Sequence, residues 1–154
     1  MEAFTATEGI LQLVTLTLGN EEYAMDILKV QEINRMTDIT LVPNAPSYVE
    51  GVVNLRGKVI PVVNLRKKFG FMDKENDKES RIMIVDINGM TMGLVVDSVS
   101  EVLRVPSNIV EHAPPMAVEV GTEFISGIAK LQDRLIILLD IDKLIEKTGD
   151  LSMF

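Results

Sequence analysis

Alternating apolar and polar positions dominate this chain. Val14, Leu16 and Leu18 alternate with Thr15 and Thr17, and beyond Gly19-Asn20 the residues Tyr23, Met25 and Ile27 alternate with Glu22, Ala24 and Asp26. Period-two alternation marks a strand with one buried face, and a Gly-Asn pair between two such runs predicts a hairpin. Further short runs follow, each interrupted by Gly, Asn, Asp or Pro, so the pattern predicts many short strands and little helix. Pro61 lies inside the run Val59–Leu65; without an N–H to give a ladder, it predicts that this stretch is an edge strand or carries a bulge. Short helical segments are predicted at 64–69 and at 140–147, where Asp140 or Asp142 is placed to cap.

The same pattern occurs twice. Shifted by 69 positions, Val14, Leu16 and Leu18 fall on Met83, Val85 and Ile87, and Tyr23, Met25 and Ile27 fall on Met92, Leu94 and Val96. The two identities in that stretch are Val30 with Val99 and Glu32 with Glu101. A shift of 76 places Gly51-Val52-Val53-Asn54-Leu55 on Gly127-Ile128-Ala129-Lys130-Leu131, and Val59–Leu65 on Leu135–Ile141. The seven-residue difference locates an insertion in the second copy, in the loop around Ala113–Gly121.

Each copy holds about five strands, and closing so few into a small barrel removes exposed edges. Residues 11–71 are therefore expected to form a first barrel, with 140–147 packing across onto it, and 81–147 a second. The charged, apolar-poor stretch Met72–Ser80 is expected to connect them. Barrels this small supply little stability alone, so the two are expected to pack together as one domain over 8–148. Met25, Met83 and Met92 occupy inward positions and are assigned to the core.

Composition narrows the function. The 154 residues carry a net charge of −8, a field that repels phosphate backbones and anionic lipid surfaces, so nucleic acid is not an expected partner. No cysteine is present, which removes disulfides, thiolate nucleophiles and sulfur-bound zinc. The single histidine, His112, excludes a multi-histidine metal site; followed by Ala113-Pro114-Pro115, it reads as a surface loop residue without a role. Asp140, Asp142 and Glu146 are better explained by helix capping than by a cation site. There is no glycine-rich phosphate loop and no nucleophile elbow. No catalytic residue, metal or cofactor is therefore expected. Apolar runs stop far short of the roughly 18 to 20 residues of a membrane span, and Met1–Gly9 lacks the features of a secretory signal, so a cytoplasmic address is expected.

One segment carries a candidate contact. In Asn54-Leu55-Arg56-Gly57-Lys58 two strands meet, so Gly57 is placed to take a positive φ and Arg56 points outward. A guanidinium held on a hairpin is a planar donor for a partner's carboxylate or carbonyl groups. The equivalent segment in the second copy, Leu131-Gln132-Asp133-Arg134, keeps the turn without that Arg and Gly.

The run from Gly51 to Arg66, Gly-Val-Val-Asn-Leu-Arg-Gly-Lys-Val-Ile-Pro-Val-Val-Asn-Leu-Arg, resembles the signature of the CheW family, the coupling proteins of bacterial chemotaxis. Glu22–Ile27 followed by Val30-Gln31-Glu32-Ile33 resembles that family's second and third strands, and Gly93–Asp97 with Val99–Val102 their later counterpart. The resemblance extends from about Leu11 to Lys147. It implies an all-β fold of two small five-stranded SH3-like barrels packed around a shared core. It also implies a non-enzymatic cytoplasmic adaptor that couples the cytoplasmic tips of transmembrane chemoreceptors to a histidine autokinase, binding the kinase through its regulatory domain and reaching receptor arrays only through partners. The family's receptor-contact positions match Val30, Glu32, Gly51 and Arg56. Val30 would anchor a receptor helix, Arg56 would donate at the rim, and Glu32 would be a second rim contact or the residue that holds Arg56. From the residues alone, a small ligand-binding or enzymatic double barrel with a pocket between its halves is the alternative.

Overall fold

A computed structural model describes residues 9–111 and 124–144. In chain order the strands are β1 (Ile10–Leu18), β2 (Glu21–Asp26), β3 (Val30–Arg35), β4 (Val49–Leu55), β5 (Lys58–Asn64), β6 (Arg81–Ile87), β7 (Met90–Val96), β8 (Ser98–Pro106), β9 (Val110–Glu111), β10 (Ile125–Leu131) and β11 (Arg134–Leu139). Two one-turn helices, α1 (Leu65–Lys68) and α2 (Ile141–Leu144), fall inside the predicted helical stretches. Asn64 caps α1 by accepting from the Lys67 amide at 3.2 Å, and Asp140 accepts from the Asp142 amide at 3.1 Å ahead of α2. Two 3₁₀ turns, Ile27–Lys29 and Ser107–Ile109, were not predicted. The insertion around 113–121 and His112 lie outside the described residues.

The repeat carries through to the elements. Adding 76 to the bounds of β4 and α1 reproduces β10 and α1's counterpart α2, and β4 and β10 are buried at matching positions. The chain divides into two compact β units, one holding residues 9–29 with 100–144, the other residues 30–99. The first is a sheet ordered β8-β1-β2-β11-β10-β9, the second a sheet ordered β3-β6-β7-β5-β4. In the six-stranded order the two ends, β8 and β9, are one run of chain interrupted by a 3₁₀ turn, so the sheet closes on itself. In the other, Thr40, just past β3, pairs with Val52 of β4 and closes that sheet in the same way.

The units are not the two copies. The expected split into 11–71 and 81–147 is replaced by a reciprocal exchange: β1 and β2 join β8–β11, while β3, β4 and β5 join β6 and β7. The exchanged contacts are antiparallel β3–β6, with Arg35 opposite Arg81, its counterpart β8–β1, and two parallel pairs, β2–β11 (Tyr23 opposite Ile137) and β5–β7 (Val63 opposite Leu94). α2 belongs to the unit that contains β1 and β2. The reason that alternation misplaces the boundary is that it encodes which face is buried, and both copies have the same faces; it is silent on which copy supplies the neighbour.

Burial also goes further than one face. Leu11, Leu13 and Thr15 on one side of β1 are as buried as Val14, Leu16 and Leu18 on the other. Leu11, Leu13, Ala24, Ala129, Ile136 and Leu138 fill the interior of one unit, and Val53, Ile60, Val62, Ile82, Ile84 and Val95 that of the other. Met25, Met83 and Met92 are fully buried, as assigned. Pro61 sits in a strand flanked on both sides, opposite Val52, but one residue before β5 begins to pair with β7; its missing N–H falls where that side of the strand is open.

Candidate functional site

The residues singled out above gather on the unit of β3–β7. Leu55 and Lys58 close a two-residue hairpin in which Arg56 (φ 51°) and Gly57 (φ 85°) both take left-handed backbone, the geometry of a type I′ turn. The Asn54 side chain accepts from the Gly57 amide at 2.9 Å and stiffens the turn. Sequence reasoning assigned positive φ to Gly57 alone. Arg56 shares it, which lifts its side chain off the sheet and leaves it 71% exposed.

The guanidinium is nevertheless fixed. Its Nη2 pairs with Glu32 Oε2, and Nη1 reaches Glu32 Oε1 at 3.4 Å, so two N–H groups address two oxygens. Glu32 lies opposite Ile84 on β3 and so shares the face of the interior cluster. Its side chain runs from that face to the rim, where Arg56 meets it. The Arg56 hydrogen bond, helped by Asn34, holds the Glu32 carboxyl below the usual carboxylate range against the opposing effect of desolvation, and Glu32 raises the guanidinium in return. The pair links the β3 edge to the β4–β5 turn across the closing seam of the sheet.

Gly51 belongs to the same seam for a different reason. Its φ is 144°, and a Cβ built on it would stand 2.0 Å from the Thr40 carbonyl oxygen and 2.8 Å from the Thr40 carbonyl carbon. Thr40 and Val52 exchange two backbone hydrogen bonds of 2.9 and 2.8 Å immediately beside it. Gly51 is buried, at a register shift of β4, and what it supplies is room for backbone to cross. Val30, half-buried at the start of β3 and opposite Val85, stands two residues before Glu32 on the far side of a bulge. Thus the structure brings Glu32 and Arg56 into contact, sets Gly51 in the same seam against Thr40, and holds Val30 at the start of β3, two residues before Glu32 across the bulge.

Apolar side chains stand exposed around these elements: Ile33, Leu41 and Val59 are 41%, 78% and 70% accessible. A cleft of about 430 Å³ opens where β5 and β7 diverge, walled by Val59, Pro61 and Met90 with Lys58 at its edge. Among the described residues no cluster of three or more His, Asp or Glu is arranged to hold a metal ion, and every buried side-chain nitrogen and oxygen has a hydrogen-bond partner. No helix among them is long and apolar enough to cross a membrane.

The other unit holds a counterpart that sequence reasoning missed. Arg134 donates to Glu22 at 3.1 Å (Nε) and 2.5 Å (Nη2) and to Glu101 at 2.9 Å. Both carboxylates, Glu22 first, raise its pKa. The legible signal was the identity of Glu101 with Glu32 under the 69-residue shift: the same glutamate captures an arginine in each unit, from the turn in one and from the first residue of β11 in the other.

Comparison with known proteins bears on what such a site serves. The model of the CheW-like domain matches residues 12–149. The chain is 40% identical to the chemotaxis protein CheW of Klebsiella aerogenes over 134 residues, covering 87% of this chain and 81% of that protein. It is 34% identical to CheW of Treponema pallidum over 137 residues, covering 86% and 81%. Its structure superposes with a TM-score of 0.83 on the crystal structure of the scaffolding protein TtCheW from Thermoanaerobacter tengcongensis, at 41% identity and with 90% of this chain and 94% of that one covered. With a duplicated all-β fold, a charged fork held on a hairpin and matches that span most of its length, the chain belongs to the CheW-like family of chemotaxis scaffolding proteins.

Proposed function

We propose that this chain is a non-enzymatic cytoplasmic adaptor that couples chemoreceptors to a histidine autokinase, and that receptor contact falls on the β3–β4 side of the unit of β3–β7, around Val30, Glu32 and Arg56, with Gly51 shaping the surface. The observation that carries this reading is the Arg56–Glu32 fork on a strained turn. A surface ion pair whose arginine is mostly exposed adds little to stability. It does immobilise a long side chain in advance, which lowers the entropy cost of binding and leaves the outer N–H groups of the guanidinium for a partner's carbonyl or carboxylate groups. A receptor tip is a helical hairpin, and such a helix docks by seating apolar anchors while polar rim groups set its register. Val30 and the exposed Ile33 flank Glu32 along β3 and are its apolar groups, both on the face that Val85 and Met83 share.

Calorimetric titration of a receptor-tip fragment into the protein tests the assignment. Arg56→Ala is expected to weaken binding by about 1–3 kcal/mol with the fold intact. Equal affinity for a folded Arg56→Ala protein removes Arg56 from the site. Glu32→Ala, combined with Arg56→Ala in a double-mutant cycle, should be strongly non-additive in binding, because Glu32 acts through Arg56. Additive losses would make Glu32 a contact in its own right.

A further inference from the structure

The exchange of strands is a choice between two pairings that bury the same apolar faces, and the hydrophobic pattern is blind to it. The charges are not. In the unit of β3–β7, Arg66 on α1 donates through Nη1 to Asp97 Oδ2 at 2.6 Å, with the two side chains only 16% and 14% exposed. Asp97 is the residue between β7 and β8. In the other unit the residue matching Arg66 under the 76-residue shift is Asp142 on α2, and its Oδ2 accepts from Lys29 Nζ at 2.8 Å. Lys29 ends the 3₁₀ turn between β2 and β3, one residue from Leu28, the position that matches Asp97 under the 69-residue shift. The same contact, helix against the segment leading into β3 or β8, is thus built twice with opposite polarity.

That reversal has a consequence for the arrangement not adopted. If the strands of each copy stayed together, α1 would meet the 28–29 turn, setting Arg66 beside Lys29, and α2 would meet the 97–98 turn, setting Asp142 beside Asp97. Two attractions would become two like-charge repulsions. Asp26, three residues before Lys29, is buried and accepts from the Leu28 amide at 2.9 Å, so turning it toward Arg66 would cost that turn its hydrogen bond. We propose that Arg66, Asp97, Lys29 and Asp142 select the exchanged strand pairing, stabilising the native units and disfavouring two contiguous barrels. Like-charge juxtaposition is a recurrent means of rejecting a competing pairing whose apolar contacts are equally good. Partial burial of Arg66 and Asp97 increases the contrast, because screening falls and a mispaired charge loses its hydrogen bonds.

The absence of cysteine makes the test clean. Arg35 and Arg81 are Cα partners in the exchanged pairing; under the repeat, the partner of Arg35 in the contiguous pairing is Gln12. Full-length R35C/R81C and Q12C/R35C proteins, refolded from denaturant under reducing conditions and then oxidised, report the two topologies by disulfide yield. With native charges, R35C/R81C should cross-link and Q12C/R35C should not. R66D/D97R keeps an ion pair in the native unit but also gives the contiguous pairing attractions to Lys29 and Asp142, so the Q12C/R35C yield should rise about tenfold. Adding K29D/D142K restores like-charge repulsion in the contiguous form, and the yield should fall back. K29D/D142K alone should level the choice as R66D/D97R does, and serves if that variant fails to fold. Equal Q12C/R35C yield on every background overturns the proposal. So does a yield that rises with the first reversal and stays high after the second, since that is what general destabilisation produces.

Discussion

Replacing Gly51 by alanine separates shape from contact at the candidate site. The added Cβ would lie 2.0 Å from the Thr40 carbonyl oxygen, and the obstacle is backbone, which cannot rotate away. Relief requires moving Thr40 from Val52, with loss of their two hydrogen bonds at about 1 kcal/mol each. Alanine at φ 144° adds backbone strain of about 1–3 kcal/mol. Gly51→Ala should therefore destabilise by about 3–5 kcal/mol, a large share of the roughly 5–15 kcal/mol of a typical domain, and lower Tm by about 6–20 °C for a chain of this size. Thermal and denaturant unfolding followed by circular dichroism measure both. Gly57→Ala is the control, since nothing lies within 4 Å of its Cβ and only the cost of positive φ, about 1 kcal/mol, remains. If Gly51→Ala unfolds like the parent protein but no longer binds a receptor fragment, Gly51 is a contact surface and the seam argument fails.

Two further outcomes follow from the same geometry. Because each unit draws strands from both halves of the sequence, a single proteolytic cut in the exposed connector, between Met72 and Glu79, should leave a complex that elutes at the size of the intact chain on gel filtration; halves that separate without denaturant would refute the exchanged topology. The folded-state pKa of Glu32 lies below its unfolded value, so the pair's stabilising contribution is present above the unfolded carboxylate pKa of about 4.3 and is lost as pH falls through the lower, folded value. NMR titration of the Glu32 side chain should show its midpoint moving up in Arg56→Ala; an unmoved midpoint would mean that Arg56 does not hold the carboxylate in solution.

Local patterns were legible where local physics decides. The hairpin at Arg56-Gly57, the helical turn after Asn64 and the inward methionines each follow from backbone preference or alternation over a few residues, and each stands in the structure. The Glu32–Arg56 fork was half legible: the two residues were singled out, but their contact depends on sheet closure through Thr40 and Val52, residues the pattern did not mark. The Arg134–Glu22–Glu101 cluster stayed hidden because it draws on β2, β8 and β11, three strands that meet only after the exchange.

By itself the sequence determined that the chain is all-β, that it repeats one five-strand pattern, and where the Arg56-Gly57 hairpin turn and the two short α-helices lie, because burial of a face and the backbone needs of a tight turn are written within a few neighbouring residues. Only the tertiary structure decided which copy supplies each strand's neighbour and why Gly51 must lack a side chain. Those outcomes rest on a backbone crossing and on charges dozens of residues apart, and two copies with the same apolar faces leave alternation nothing with which to choose between them.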